Sequence, residues 1–392
     1  FILFYFILFY FILFYFIYYF SIFILMVKID FYIKIFILII IISITLFLII
    51  YLINSKKIEE ENNTKENFEN TNNIKKSFIK CNKNKVKGII SDIFVKNNIY
   101  KNKTDTNWDI YLPCGYNNVE AELKTIIPTN DNQIIFGISG CDKIVSKNNI
   151  WSLLENKYGR EKASSIMPET YILNNKEHMN LFVIHYQPSH KYILKKNVQR
   201  KEGLLMTNQL TTIINANKDG YKVVQKYLKD VFLINNRKIN LRIYLVIKCM
   251  NGVINAFIHP RGKCIYTNKD YDPDSLDFEN NITSYNLELE IYKINPLTFE
   301  ELKEYLKKIN LDYDLLFNRI ITIIKETIIA SKKELCQLKN IYKNTTFQLF
   351  GLDVIFNNKL EPFLLEFNKG PDMQPKTDVD RIIKTKVQED MF

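Results

Sequence analysis

Apolar residues recur along this chain in three rhythms, and each rhythm predicts a different kind of element. The first 20 residues read FILFY three times and then FIYYF, with no polar face of any period. From Ile35 to Ile53 every residue is apolar except Ser43, Thr45 and Tyr51, a run of the length a helix needs to cross a hydrocarbon core. An N-terminal transmembrane helix is therefore expected within residues 26–55, behind an apolar repeat at 1–25. Met26 opens a more ordinary composition, so the repeat is expected to be upstream sequence that is not translated. Lys28 and Lys34 before the span and Lys56 and Lys57 after it leave its orientation undecided. Glu59 to Asn84 is rich in Asn, Lys and Glu with few apolar residues, too few to form a core, and predicts a polar linker over 56–85.

A folded region is expected from Val86 to about Asp378. Leu241, Ile243, Leu245, Ile247 and Cys249 alternate with Arg242, Tyr244, Val246 and Lys248, which predicts a half-exposed strand. Thr298 with Glu301 three residues later is a capping box, and Phe299, Leu302, Leu306 and Ile309 follow it at helical spacing. A second apolar helix is expected over Asp314 to Leu338. Phe347 to Phe356 and Glu361 to Phe367 read as strands joined through Asn357 and Asn358. Helices and strands are mixed rather than alternating, which favours α+β layers over a doubly wound parallel sheet.

Composition changes this picture little. The formal charge of +11 invites an anionic partner, although a chain dominated by Ile, Asn, Lys, Phe and Tyr gains lysines from A/T-rich codons too. No motif with basic and aromatic residues interleaved points to nucleic acid, so none is expected as a partner. The six cysteines form no close CxxC pair and the four histidines have no ligand spacing with them. Neither a zinc site nor a disulfide framework is expected, which places the folded part in a reducing compartment.

The last predicted hairpin carries candidate chemistry. If Phe356 faces Phe363, then Asp353 faces Glu366, and Asn368 shares the face of Glu366. Carboxylates about 5 Å apart at the Cβ repel unless one is protonated or a cation lies between them. Two carboxylates and an amide are hard oxygen donors suited to Mg²⁺. Both acids interrupt apolar runs, FQLFGLDVIF and PFLLEFN, where an unpaired charge is costly.

The segment FQLFGLDVIFNNKLEPFLLEFNKGPDM resembles the closing strands of the tubulin tyrosine ligase family. The resemblance implies an ATP-grasp fold, of mixed and antiparallel sheets flanked by helices, with Asp353, Glu366 and Asn368 as magnesium ligands. VVQKYLKDVFLINNRKINLRIYLVIK is similar to the family's hinge and following strand. That implies adenine contacts from Gln225, Lys226, Tyr227 and Leu228, with Lys238 and Arg242 reaching phosphates or the substrate acid. YILKKNVQRKEGLLM looks like the strand lysine and mobile loop that cover the nucleotide, making Lys195 the grasp lysine, although the loop has only Gly203. In SKNNIWSLLENKYGREKASSIMPETYIL, the P-x-T-Y pattern is supplied by Pro168, Thr170 and Tyr171, and Lys147 matches a lysine linked with nucleotide binding. The N-terminal part of the ligase domain is then expected over 86–180 and the nucleotide-binding and catalytic region over 181–392. Three departures concern the substrate side: Asn240 stands where relatives carry an acid, Ile265 where they carry an arginine, and Asn281 to Ser284 read NITS.

The implied activity is ATP- and magnesium-dependent joining of Tyr, Glu or Gly to a protein carboxylate through an acyl phosphate, with Arg242 and Lys238 in catalytic roles. The implied partners are a free amino acid and an acidic protein acceptor such as tubulin. A membrane-anchored protein with its catalytic domain facing the cytosol is expected, without the extra C-terminal microtubule-binding segment of some relatives. The alternative is a non-catalytic, membrane-tethered member that binds nucleotide or an acidic protein.

Overall fold

The computed structural model describes residues 76–81, 85–102, 107–198, 203–283 and 289–392, together with Tyr18 and Thr45. The apolar repeat, the expected span at 35–53 and most of the polar tract lie outside the described residues. Among the described residues no helix is long and apolar enough to cross a membrane. Every element below belongs to the unit Lys75–Phe392.

In chain order the strands are β1 (Ser77–Lys80), β2 (Tyr100–Lys101), β3 (Ile110–Leu112), β4 (Ile134–Phe136), β5 (Thr170–Ile172), β6 (Tyr192–Lys195) and β7 (Leu204–Thr207). They continue with β8 (Val223–Lys226), β9 (Leu233–Ile234), β10 (Arg237–Met250), β11 (Val253–Ile258), β12 (Lys263–Tyr266), β13 (Thr345–Phe356) and β14 (Pro362–Asn368). A ten-stranded sheet runs β11-β10-β13-β4-β3-β1-β2, with β9 and β12 also on β10 and β14 also on β13. Its β1 to β4 end is parallel, β4 pairs β13 in parallel, and the β9 to β14 part is antiparallel. A separate four-stranded antiparallel sheet has the order β5-β8-β6-β7. The mixed sheets agree with the expected α+β layers.

Strand β10 organises the molecule. Its odd-numbered residues from Ile239 to Cys249 enter the main core, where the helices Lys147–Tyr158, Phe299–Lys308 and Tyr313–Ser331 pack. The other face is partly exposed at Arg242, Val246 and Lys248, as the alternation suggested, but not along its whole length. Lys238 and Asn240 are buried, and Tyr244 is sealed under Ile383 and Val387 of a terminal helix, Asp378–Met391. That helix, beyond the expected end of the folded region, makes β10 a two-sided central strand. Two-residue turns with left-handed backbone set both of its ends: Asn235-Asn236 enters from β9 and Asn251-Gly252 leaves to β11.

Other expectations need correction. The strand β1 falls inside the tract read as a linker, because Phe78 is buried and Ser77 is held by Asp109 through its amide and hydroxyl at 2.6 and 2.9 Å. The second helix ends at Ser331 rather than Leu338. Disulfides join Cys81 to Cys114 and Cys249 to Cys336, at separations of 33 and 87 residues that no short-range cysteine pattern reveals. The capping box at Thr298 and Glu301 forms as expected.

Candidate active site

Between the two sheets lies a cleft of about 910 Å³ lined by all eleven residues singled out from the sequence: Lys147, Lys195, Gln225, Lys226, Tyr227, Leu228, Lys238, Arg242, Asp353, Glu366 and Asn368. The β6 and β8 strands supply one wall. The face of β10, β13 and β14 supplies the other, because the period of two aims Lys238, Asn240 and Arg242 away from the core.

The acidic pair faces across β13 and β14 as expected, but the register reaches it by a different route. Phe356 pairs with Pro362, not Phe363, and a bulge between Asp353 and Val354 restores the Asp353–Glu366 pairing. The extra residue is Leu365, which joins Glu366 in lining the cleft while Leu364 and Phe367 enter the core. Gly351 permits this crowding: a Cβ there would lie 2.9 Å from Pro371 and 3.3 Å from Arg242.

Both carboxylates hold cationic partners. Arg242 donates to Asp353 from Nε at 2.7 Å and Nη2 at 3.1 Å, a bidentate pair. Lys147 Nζ lies 3.4 Å from Glu366 Oε2, and its own position is fixed by donation to the Val198 carbonyl at 3.3 Å. Asn368 donates to Glu366 Oε1 at 3.2 Å. Burial alone would raise the Glu366 pKa, but Lys147, Lys195, the Asn368 hydrogen bond and Arg242 together hold it below the usual range. Burial raises Asp353, against the pull of Arg242, and the adjacent Glu366 adds to the rise. Two carboxylates and an amide converge at one corner, so the donor set fits a small divalent cation.

Two of the lysines are strongly desolvated. Burial pushes the Lys195 ammonium down to about 8 against the attraction of Glu366. Burial, with Lys195 nearby, takes Lys238 down to about 7. Lys238 donates to the Tyr227 hydroxyl at 3.3 Å and to the Asn281 carbonyl at 3.1 Å, neither of them charged. Lys147, Lys195, Lys226, Lys238 and Arg242 line the cleft together with the carboxylates Glu279, Asp353, Glu366 and Asp372, a small positive excess that a polyanion such as a phosphate chain would offset.

Not every side chain is aimed as the sequence suggested. The amide of Gln225 is occupied by Thr170 Oγ1 at 2.8 Å and the Pro168 carbonyl at 3.3 Å, so it braces β8 against the P-x-T-Y segment. Lys196, by contrast, lies over the Tyr221 ring and does not line the cleft, as alternation beside Lys195 requires. Sequence reasoning missed Asn197, which accepts from the Lys147 amide at 3.0 Å, and the apolar linings Ile193, Leu204, Ile355 and Leu365. None of these carries a distinctive local pattern.

A cleft clasped between a four-stranded antiparallel sheet and the antiparallel part of a mixed sheet is an ATP-grasp-like arrangement. The chain belongs to the tubulin-tyrosine ligase family, which matches residues 128–392. It is similar to tubulin polyglutamylase ttll-5 of Caenorhabditis elegans, at 24% identity over 222 residues, 52% of this chain and 30% of that protein. Tubulin monoglutamylase TTLL4 of Mus musculus is 22% identical over 306 residues, 72% of this chain and 25% of its own length. Probable tubulin polyglutamylase ttll-9 of C. elegans is 22% identical over 243 residues, 58% of this chain and 57% of its own. The chain thus spans less than two thirds of each of these relatives.

Proposed function

We propose that this protein is an ATP-dependent ligase that joins an amino acid to a carboxylate of an acidic protein, with glutamate and tubulin favoured by what its relatives are named for. The observation that carries the proposal is the concentration of Lys147, Lys195, Lys238 and Arg242 around the facing pair Asp353 and Glu366. A carboxylate does not accept an amine at neutral pH without activation. The acceptor oxygen attacks the γ-phosphorus, the bond to the β-phosphate oxygen breaks, and ADP leaves an acyl phosphate. The donor amine then attacks the acyl carbon, phosphate departs, and the amine proton passes to solvent.

In this reading Lys147, Lys195 and Lys238 bind the phosphate oxygens and stabilise the charge that develops on the transferring group. Arg242 orients Asp353 and offers its remaining donors to the substrate acid. Leu228 and the backbone around Gln225, Lys226 and Tyr227 form the adenine wall. Asp353, Glu366 and Asn368 would hold magnesium, which supplies charge neutralisation of the phosphates when bound. Anchoring by the apolar run at 35–53, with the cleft in the cytosol, belongs to the same proposal, although the two disulfides remove the cysteine argument for a reducing compartment. Protease protection of residues beyond 84 in sealed vesicles would refute that part.

The test is ADP release by the full chain with Mg·ATP, an acidic acceptor peptide and mixed amino acids, with mass spectrometry of the acceptor. The expected result is ADP formation that requires the acceptor, and a mass gain of one amino acid. The alternative of a non-catalytic binder rests on Asn240 and Ile265 in the cleft, and nucleotide binding without any ADP release would establish it instead.

A further inference from the structure

Among Asp353, Glu366 and Asn368, Asn368 alone carries no charge. What it gives a cation depends on where its carbonyl oxygen stands, because a neutral dipole has little pull at a distance and Mg²⁺ demands near-octahedral geometry. Asn368 is also the last residue of β14, paired with Gly351 where the ladder ends. Its placement therefore depends on what holds the residues that follow.

Lys369 and Gly370 are both held from outside the hairpin. The Lys369 carbonyl accepts from Gln348 Nε2 at 2.9 Å, and Gln348 Oε1 accepts from the Ile138 amide at 3.1 Å. One buried side chain thus joins the segment after β4 to the exit of β14. The Lys369 ammonium, itself buried, pairs with half-exposed Asp142 of the Cys141–Val145 helix and donates to the Asn117 carbonyl at 3.4 Å. Gly370 lies under the Tyr116 ring, where a Cβ would come within 2.3 Å of Cδ2. Tyr116 and Asn117 precede the residues 128–392 that match the family, so part of this anchoring comes from the chain's own N-terminal segment.

We propose that Gln348 and Lys369 are positioning residues that present the Asn368 carbonyl oxygen to the cation. The inference rests on the ligase reading above, in which Asp353, Glu366 and Asn368 hold the metal. Asn368 donates to Glu366 Oε1 at 3.2 Å, which commits its amide nitrogen and leaves the oxygen as the ligand atom. A purely structural role for the Lys369–Asp142 pair predicts a different sign. Lys369→Met removes a positive charge beside Asn368 and leaves Asp142 unpaired, so charge alone should strengthen cation binding. Lost positioning should weaken it by about tenfold, the scale on which outer-shell partners act.

The test titrates the full chain, in excess over a non-hydrolysable ATP analogue, with Mn²⁺ and reads the bound ion by electron paramagnetic resonance. The expected result is Mn²⁺ binding weaker by about tenfold in Lys369→Met and in Gln348→Leu, with no further fall when either is combined with Asn368→Ala. Unchanged or tighter binding in Lys369→Met overturns the proposal. So does a fall of the same size in the Asn368→Ala background, which would mark general damage to the site. If Lys369→Met does not fold, Asp142→Asn is read in the same cycle: a loss caused by charge persists beside Asn368→Ala, whereas a loss of positioning vanishes. Mn²⁺ binding that Glu366→Gln leaves undiminished would instead overturn the metal reading, since the ion would then lie elsewhere.

Discussion

Two facing carboxylates would repel if they stood alone, and neutralising one would then stabilise the protein. The surroundings of Glu366 reverse that sign. Lys147, Lys195, the Asn368 amide and Arg242 outweigh its burial and hold its folded pKa below the unfolded value of 4.5, so its charge contributes stability above pH 4.5 that is lost as pH falls through the lower, folded pKa. Glu366→Gln is expected to lower the melting temperature of the ligand-free protein at pH 7 and to have less effect near pH 3. The same variant should lose Mg·ATP turnover by orders of magnitude, with little nucleotide-induced rise in melting temperature. A ligand-induced rise equal to that of wild type would remove Glu366 from the site. Lys238 has the opposite sense. Its folded pKa of about 7 is depressed by burial, so from pH 7 to 10 the unfolded chain binds the extra proton and stability rises with pH. A bound phosphate restores the proton, so nucleotide affinity should fall with pH over the same window, by up to about tenfold per unit. Calorimetry in buffers of different ionisation enthalpy should show proton uptake at pH 8.5, and Lys238→Met should abolish that part of the uptake.

At the scale of elements, the strands that carry the site were legible because their chemistry interrupts an otherwise apolar rhythm. Asp353 and Glu366 stand out within FQLFGLDVIF and PFLLEFN, and a period of two places Asn368 beside Glu366 without any knowledge of the fold. The bulge at Leu365 was not legible. It compensates for a connection one residue tighter than assumed, and a ladder argument gives the right pair through two offsetting shifts. Asn251-Gly252, which sets the turn from β10 to β11, is a strong hairpin signal in its own right. The terminal helix escaped notice because its apolar positions are sparse: Ile383 and Val387 suffice only because they cover Tyr244 and the Phe347–Leu349 face. Since Ile383 is buried, Ile383→Ala should cost about 2–5 kcal/mol by lost burial and an unfilled cavity. Denaturant unfolding would measure it, and a shift below about 1 kcal/mol would show that the helix is not part of the cooperative unit.

For the whole molecule, stability and site chemistry occupy opposite ends of β10. The cleft residues Lys238 to Arg242 lie near its start, whereas Cys249 lies near its end and is joined to Cys336 beyond the Tyr313–Ser331 helix. Eleven residues separate Lys238 from Cys249, on the order of 36 Å in an extended strand. The local motifs were readable because each sits on one strand, while the cysteine pairing depends on which distant segments the fold brings together, so spacing carried no trace of it. The 87-residue separation makes this link a large constraint on the unfolded chain, worth about 4–5 kcal/mol in the chain-entropy account. Replacing both cysteines by alanine should therefore lower the denaturant midpoint substantially. Because perturbations this far apart add nearly independently, the variant should keep the wild-type gain in stability on adding Mg·ATP at a fixed multiple of its Kd, about 2.7 kcal/mol at a hundredfold excess. Parallel unfolding curves with and without Mg·ATP would show it. A smaller ligand-induced gain in the double variant would mean that the far end of β10 is coupled to the cleft, and the separation of scaffold from site along this strand would have to be given up.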